Sequence, residues 1–313
     1  MSRRLTAPAL LLGLGLAATT ALSACSGTGS SSSAAARADG RLAVVASFYP
    51  LQYAVQQIGG EHVTVTSLTK PGAEPHDVEL TPQDVASVST ASLVVYEKSF
   101  QPAVDEAVAQ EGQGHAFDVA PTADLTLAAP AEDGEAPAAG AKDPHFWLDP
   151  QRYAAVAKAL GARLAELDPA HAASYGSATS AFVAKLSALD TAFREGTRTC
   201  ERRQLVTSHA AFGYLSQRYG FTQVPITGLD PEVEPSAQDL ARVADFVRAN
   251  EVTTIYAETL VEPKFADTVA RSTGATVATL DPLEGLTSAS KGSDYLEVMR
   301  SNLTALRAGQ SCS

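Results

Sequence analysis

Cysteine is scarce in this 313-residue chain, which carries only Cys25, Cys200 and Cys312. No two of them stand at CxxC spacing, which excludes a thiolate zinc knuckle. Long apolar runs are also lacking. The stretch over residues 10–22 falls short of the ~20 apolar residues a spanning helix needs, and nothing after it is more apolar. The signatures HExxH and GxSxG are absent, so those two hydrolase chemistries have no foothold. Basic residues are in deficit: 23 Lys and Arg against 35 Asp and Glu give a formal net charge of −12. Such a balance argues against nucleic acid as a partner. It is compatible with cation binding without establishing it.

What is present begins with an address. Arg3 and Arg4 precede the apolar run, which reads as the core of an export signal. The run closes in Leu22-Ser23-Ala24-Cys25, which resembles a bacterial lipobox and predicts a signal over residues 1–24 with lipid attached to Cys25. An ordinary export signal with an incidental cysteine is the alternative, and Ser2-Arg3-Arg4, faintly similar to a twin-arginine start, leaves the export route open. Loss of Arg3 and Arg4 with the signal takes the net charge to −14. Residues 25–40 are almost wholly Ser, Gly and Ala after the cysteine and predict a flexible tether with nothing to bury. Cys200 and Cys312 then remain as an even pair in an oxidising compartment and are expected to form a disulfide, two free thiols being the alternative. Closing a loop of roughly 100 residues is worth up to about 4.7 kcal/mol on chain-entropy grounds.

The body alternates strand and helix signals. Strands are expected over 41–47, 63–68 and 93–96, with helices over 49–58 and from 81 onward. Residues 121–142, rich in Ala, Pro and carboxylates, read as a mobile surface loop. Helix returns over 150–167. In the next helix Tyr175, Ala178, Phe182, Leu186, Leu189 and Phe193 recur every three or four residues. Twenty-five such residues reach nearly 40 Å. That length suits a connector between two lobes, although a long core helix would show the same stripe. Beyond Cys200 the alternation resumes, with strands over 204–207, 253–256 and 276–280 and helices over 210–219, 239–250, 264–273 and 294–307. The expected fold is α/β. An N-terminal lobe over 41–170 and a C-terminal lobe over 199–313, each with a mainly parallel sheet flanked by helices, are joined by a linking helix over 171–198.

Of six histidines, His62, His115 and His171 sit in polar, solvated contexts. The other three fall differently. His76 follows the strand at 63–68 through a Pro/Gly turn, His145 lies in Asp143-Pro-His-Phe-Trp147, and His209 ends the strand at 204–207. Asp281 ends the strand at 276–280 in the same manner. Open parallel sheets bind ligands outside the carboxyl ends of their strands. Three imidazoles and one carboxylate, mostly at such places, predict a shared four-coordinate centre with donors at about 2.0–2.2 Å, suited to zinc over magnesium or calcium. Four protein donors leave no open position for a catalytic water, so an enzyme is not expected, a zinc hydrolase or a surface adhesin being the alternatives.

Several segments carry a specific resemblance. Ser47-Phe-Tyr-Pro50, Pro71-Gly-Ala-Glu-Pro-His-Asp77, Asp143-Pro-His-Phe-Trp-Leu-Asp-Pro150, Ser208-His-Ala-Ala-Phe-Gly-Tyr214 and Leu280-Asp-Pro282 are similar, in order and over nearly the whole body, to the zinc- and manganese-binding lipoproteins of bacterial ABC transporters, the ZnuA/TroA type. The resemblance implies two α/β lobes bridged by a rigid helix, with metal in the cleft between them. It also implies a lipid-anchored monomer outside the cytoplasm that delivers metal to an ABC permease. Carried over by position, its ligands fall on His76, His145, His209 and Asp281. Histidine rather than glutamate at 209 favours Zn2+, with Mn2+ or iron as the alternative cargo. Many zinc members carry histidines where this chain has residues 121–142, which contain none. Glu258, and more weakly Glu74, are placed to orient a histidine by accepting its second N–H.

Overall fold

Strands buried on both faces alternate their side chains between two cores, and this pattern organises both halves of the chain. The computed structural model describes residues 37–38, 40–130 and 139–313. Its first half runs β1 (Arg37–Ala38), β2 (Arg41–Ala46), α1 (Tyr49–Gly59), β3 (Val63–Ser67), α2 (Pro82–Thr90), β4 (Leu93–Tyr96), α3 (Pro102–Glu111), β5 (Ala116–Asp118), α4 (Ala120–Ala123) and α5 (Pro150–Leu167). The strands β3, β2, β4 and β5 are parallel neighbours in that order, with β1 antiparallel on β2. Leu42, Val44 and Ala46 of β2 and Leu93 and Val95 of β4 face one core, whereas Val45 and Val94 face another, with Val88, Val104 and Val108.

The second half repeats the scheme with β6 (Gln204–Thr207), α7 (Gly213–Tyr219), β7 (Thr222–Pro225), α8 (Ala237–Ala249), β8 (Thr254–Ala257), α9 (Lys264–Thr273), β9 (Thr276–Thr279) and α10 (Tyr295–Gly309). Its sheet is parallel throughout in the order β7-β6-β8-β9. Leu205 and Tyr256 point to the core shared with the first half, and Val206, Ile255 and Ala257 to a separate one with Val243, Val247 and Val269.

Between the halves runs α6 (Ala172–Thr197), 26 residues long. Its stripe of Tyr175, Phe182, Leu186, Leu189 and Phe193 is buried in the large core that also takes Tyr153 of α5, Leu215 of α7 and Leu306 of α10. The helix is therefore at once a connector and a core element. Asp190 on the same helix is gripped by both ends of the Arg218 guanidinium, at 2.6 and 2.9 Å, and accepts from Tyr219 Oη. Those contacts fasten α7 to it.

Five elements were not anticipated, and each is short or poorly patterned: β1 and α4, of two and four residues, fall in the expected tether and loop, and three more lie in the body. β5 has three half-buried residues, β7 ends in proline on a sheet edge, and α3 buries only Val104, Ala107 and Val108. The expected loop over 121–142 is partly ordered by its own backbone. Ala128 bridges Lys142, Ala129 N donates to Ala141 O, and Asp143 N donates to Leu127 O, so the two flanks of the segment pair antiparallel. The expected signal peptide, Cys25 and nearly all of the expected tether lie outside the described residues. Among those described, no helix is long and apolar enough to cross a membrane.

Cys200 and Cys312 are joined by a disulfide over a sequence separation of 112. It ties the residues just past α6 to the chain end, where Arg202 N also donates to Gln310 O. Cys312→Ser is expected to cost about 2–5 kcal/mol, most of it through a less restricted unfolded chain. Calorimetric unfolding with and without reductant measures it, and a transition that reductant leaves in place would contradict the assignment.

Candidate metal centre

Each imidazole reaches the cleft because its local backbone is tied down. His76 lies in the turn between β3 and α2, where its N–H and that of Asp77 both donate to the Glu74 carboxylate, at 2.8 and 3.3 Å. Gln101 Nε2 holds the carbonyl of Pro75 from below. His145 precedes a single helical turn over Phe146–Leu148. Its main-chain N–H and its Nδ1 both meet Asp143 Oδ1, at 2.9 and 2.8 Å. His209 follows β6, and its carbonyl accepts from Thr207 Oγ1 and Gln223 Nε2. Its Nδ1 stands 2.8 Å from the Glu258 carboxylate.

The three Nε2 atoms converge on one carboxylate oxygen, Glu284 Oε1, at 3.4 Å from His76, 2.9 Å from His145 and 3.2 Å from His209. Ligand-type atoms of His76, His145, His209 and Glu284 all lie within 4.8 Å of one another, and among the described residues no other group of three or more does so. Glu284, His145 and His209 are buried, and the His76 side chain keeps 10% of its surface. That residue forms the open side of the centre.

Here the expected fourth donor needs correction. Asp281 is buried nearby but does not belong to the converging group. Its Oδ1 accepts from Leu283 N at 2.8 Å, closing a tight turn in which Leu283 takes φ 60°. The turn carries the chain three residues on and delivers Glu284 to the imidazoles. Asp281 thus acts on the cleft through backbone shape. Glu74 likewise braces the His76 backbone and accepts nothing from the ring, while Glu258 stands where an acceptor for an imidazole N–H was expected. The sequence does contain a signal for Glu284, a carboxylate three residues past a strand-end Asp-Pro, but spacing alone does not choose between the two acids. Of the remaining histidines, His62 and His171 stack on each other at 3.9 Å and His115 Nε2 meets Val88 O. None of these three is in the converging group.

The electrostatics suit a cation. Where Asp143 and Glu258 take the Nδ1 protons, neutral His145 and His209 present lone pairs at Nε2. Those lone pairs face a carboxylate oxygen, an arrangement that a proton or a metal ion must mediate. Glu284 Oε2 is buried with no hydrogen-bond partner. Burial alone would push His209 down, but the charges of Glu258 and Glu284 hold it well above its ordinary value. Burial opposes and Asp143 and Glu284 outweigh it at His145, which is also raised. Glu284 is held well below the carboxylate range despite its burial, by the His209 charge and the hydrogen bonds from the imidazoles. Burial and the Glu284 charge push Glu74 up to about 8. The carboxylates around His145 and His209 therefore favour a proton on each of these two rings while no metal is bound. A divalent ion displaces those protons.

Glu258→Gln should weaken zinc binding about 10–100-fold, the usual cost of losing a partner that orients a ligating histidine. Competition against a chromophoric chelator reads this directly. An unchanged affinity would mean that Glu258 merely fills space.

Two parallel-sheet lobes bridged by a long helix, with imidazoles and a carboxylate from both lobes meeting between them, define a bilobal solute-binding protein for a metal ion. The chain belongs to the ZnuA family, zinc-uptake complex component A, periplasmic, whose model matches residues 44–309. It is 35% identical over 296 residues to the high-affinity zinc uptake system protein ZnuA of Bacillus subtilis strain 168, covering 91% of this chain and 92% of that one. The Zn(II)-bound ZnuA-like domain of Streptococcus pneumoniae AdcA superposes with a TM-score of 0.73 at 32% identity, over 87% of this chain and 99% of that domain. The laminin-binding protein Lmb of Streptococcus agalactiae, described as bifunctional with adhesin and metal-transporting activity, gives a TM-score of 0.74 at 32% identity, with 86% and 99% covered.

Proposed function

We propose that this protein captures Zn2+ through His76, His145, His209 and Glu284 and hands it to the permease of an ABC importer. The convergence of four ligand-type side chains from distant parts of the sequence carries this reading. Zinc is favoured because three imidazoles and one carboxylate match its four-coordinate preference, whereas manganese favours oxygen-rich, higher coordination. Membership of a zinc-uptake family supports the same cargo.

Lipid on Cys25 would hold the body at the outer face of the cell membrane, and the tether over residues 25–40 would let a single chain reach its permease. The lipobox-like Leu22-Ser-Ala-Cys25 supports that placement. Catalysis forms no part of the reading, since four protein donors fill the coordination shell.

Metal analysis of protein purified without chelator, followed by calorimetric titration with Zn2+ and Mn2+, tests the proposal. One zinc per chain with sub-micromolar affinity is expected. His209→Ala should weaken binding at least tenfold and His62→Ala should not alter it. Manganese binding tighter than zinc would overturn the cargo assignment, and equal loss from both substitutions would overturn the site.

A further inference from the structure

The two ligand-bearing segments that meet most closely, those of His145 and Glu284, are fastened to each other and to one helix. Trp147 is fully buried, and a buried indole N–H needs an acceptor. It finds one across the cleft at Pro282 O, 2.8 Å away and two residues before Glu284. The carbonyl of Trp147 in turn accepts from Tyr295 Oη at 2.6 Å. On the Glu284 side, Asn302 makes a paired contact with the backbone of Asp281. Its Oδ1 accepts from Asp281 N at 2.9 Å, and its Nδ2 donates to Asp281 O at 2.7 Å.

Tyr295 and Asn302 both belong to α10. Seven residues apart, they lie about two turns from each other on one face. One end of that face holds the His145 segment and the other holds the Glu284 turn. The turn itself contains Leu283 at φ 60°, a backbone state that a non-glycine residue keeps only where its surroundings impose it. The His145–Glu284 separation, 2.9 Å, is the shortest of the three imidazole contacts to that oxygen, and it is the one this bracing spans.

We propose that α10, through Tyr295 and Asn302, together with the Trp147–Pro282 hydrogen bond, sets the gap between His145 and Glu284 and so selects the ion by size and coordination number. This rests on the reading of these residues as zinc ligands. None of the three touches the ion; they are positioning residues. Two donors at about 2.0–2.2 Å on a tetrahedral ion stand about 3.4 Å apart, so the braced pair has to part by only a few tenths of an ångström to admit zinc. A brace that allows no larger movement keeps the four donors a closed set and leaves no room for the six oxygen-rich positions that manganese prefers. Relaxing the brace should therefore cost zinc more than manganese.

The test compares wild type with Tyr295→Phe, Asn302→Asp and the double variant, using Zn2+ and Mn2+ affinities and the visible spectrum of the Co2+-loaded protein. Tyr295→Phe removes one hydroxyl, and Asn302→Asp keeps shape while setting an oxygen against Asp281 O in place of the donor, so both report even where Trp147→Phe, which empties part of a fully buried site, does not fold. Expected is a fall of at least about tenfold in the zinc-to-manganese affinity ratio of the double variant, the loss falling on zinc. The intense absorption of tetrahedral Co2+ should weaken in parallel. A lowered melting temperature with an unchanged ratio and unchanged Co2+ spectrum would make these residues structural only and overturn the proposal. Failure of the wild type to bind zinc, or full zinc affinity in Glu284→Ala, would instead overturn the ligand assignment beneath it.

Discussion

Glu284→Ala should lower zinc affinity by at least about 100-fold, while Asp281→Asn should change it by less than about tenfold. The first figure is the upper end of what loss of a residue orienting a ligand costs, and removal of a charged donor from the shell exceeds that. Glu284 Oε1 is the point on which all three imidazole nitrogens converge. Without it the ion loses its only anionic contact in the group and keeps three neutral ones. Asp281 has a different task, because its Oδ1 closes the turn onto Leu283 N, and asparagine can accept that hydrogen bond equally well. Chelator competition at fixed pH, with stoichiometry from calorimetry, separates the two carboxylates. The reverse ranking, with Asp281→Asn crippling and Glu284→Ala mild, would restore Asp281 as the donor and remove the basis for the geometry described above.

The way Asp281 and Glu284 divide the work shows where sequence reasoning reaches its limit. Periodicity identified α6 from Tyr175, Phe182, Leu186, Leu189 and Phe193 because a 26-residue helix repeats its signal many times. Strand ends flanking His209 and Asp281 were legible because apolar runs stop there. Of the converging residues, His76 and His209 followed from that placement, and His145 from its setting in Asp143-Pro-His-Phe-Trp147. The fourth did not, since the choice between two acids three residues apart depends on a left-handed Leu283 and on Asn302, 21 positions from Asp281. Neither leaves a mark in local composition. The acceptor for His145 Nδ1 was missed for a related reason. Asp143 lies two residues from His145, and only the turn over Pro144 folds its carboxylate back onto the ring. Short edge elements such as β5 and β7 were missed because three or four half-exposed residues carry too few repeats to show a period.

Zinc should stabilise the protein strongly at pH 8 and little at pH 5.5. His145 and His209 have folded values above the ordinary ~6.5, so in metal-free protein each keeps its proton to higher pH than a free imidazole would. Their imidazolium–carboxylate pairs contribute stability that is fully present below about pH 6.5 and is lost as pH rises through the raised folded values. Glu284 runs the other way. Its folded value is depressed, so its contribution is present above about pH 4.3 and is lost as pH falls through that lower value. The metal-free cluster is therefore most stable between roughly pH 4.3 and 6.5, held together by its own protons. Zinc must expel those protons, and where both imidazoles are protonated in the free protein its apparent affinity falls by up to about two decades per pH unit. Melting curves at fixed free zinc across pH 5.5, 7 and 8 should show a metal-induced shift that grows steadily with pH. Glu258→Gln should move the midpoint of that growth to lower pH, because Glu258 is the larger of the two charges lifting His209. A zinc-induced shift that stays constant over this range would mean that the ion does not compete with protons for these nitrogens.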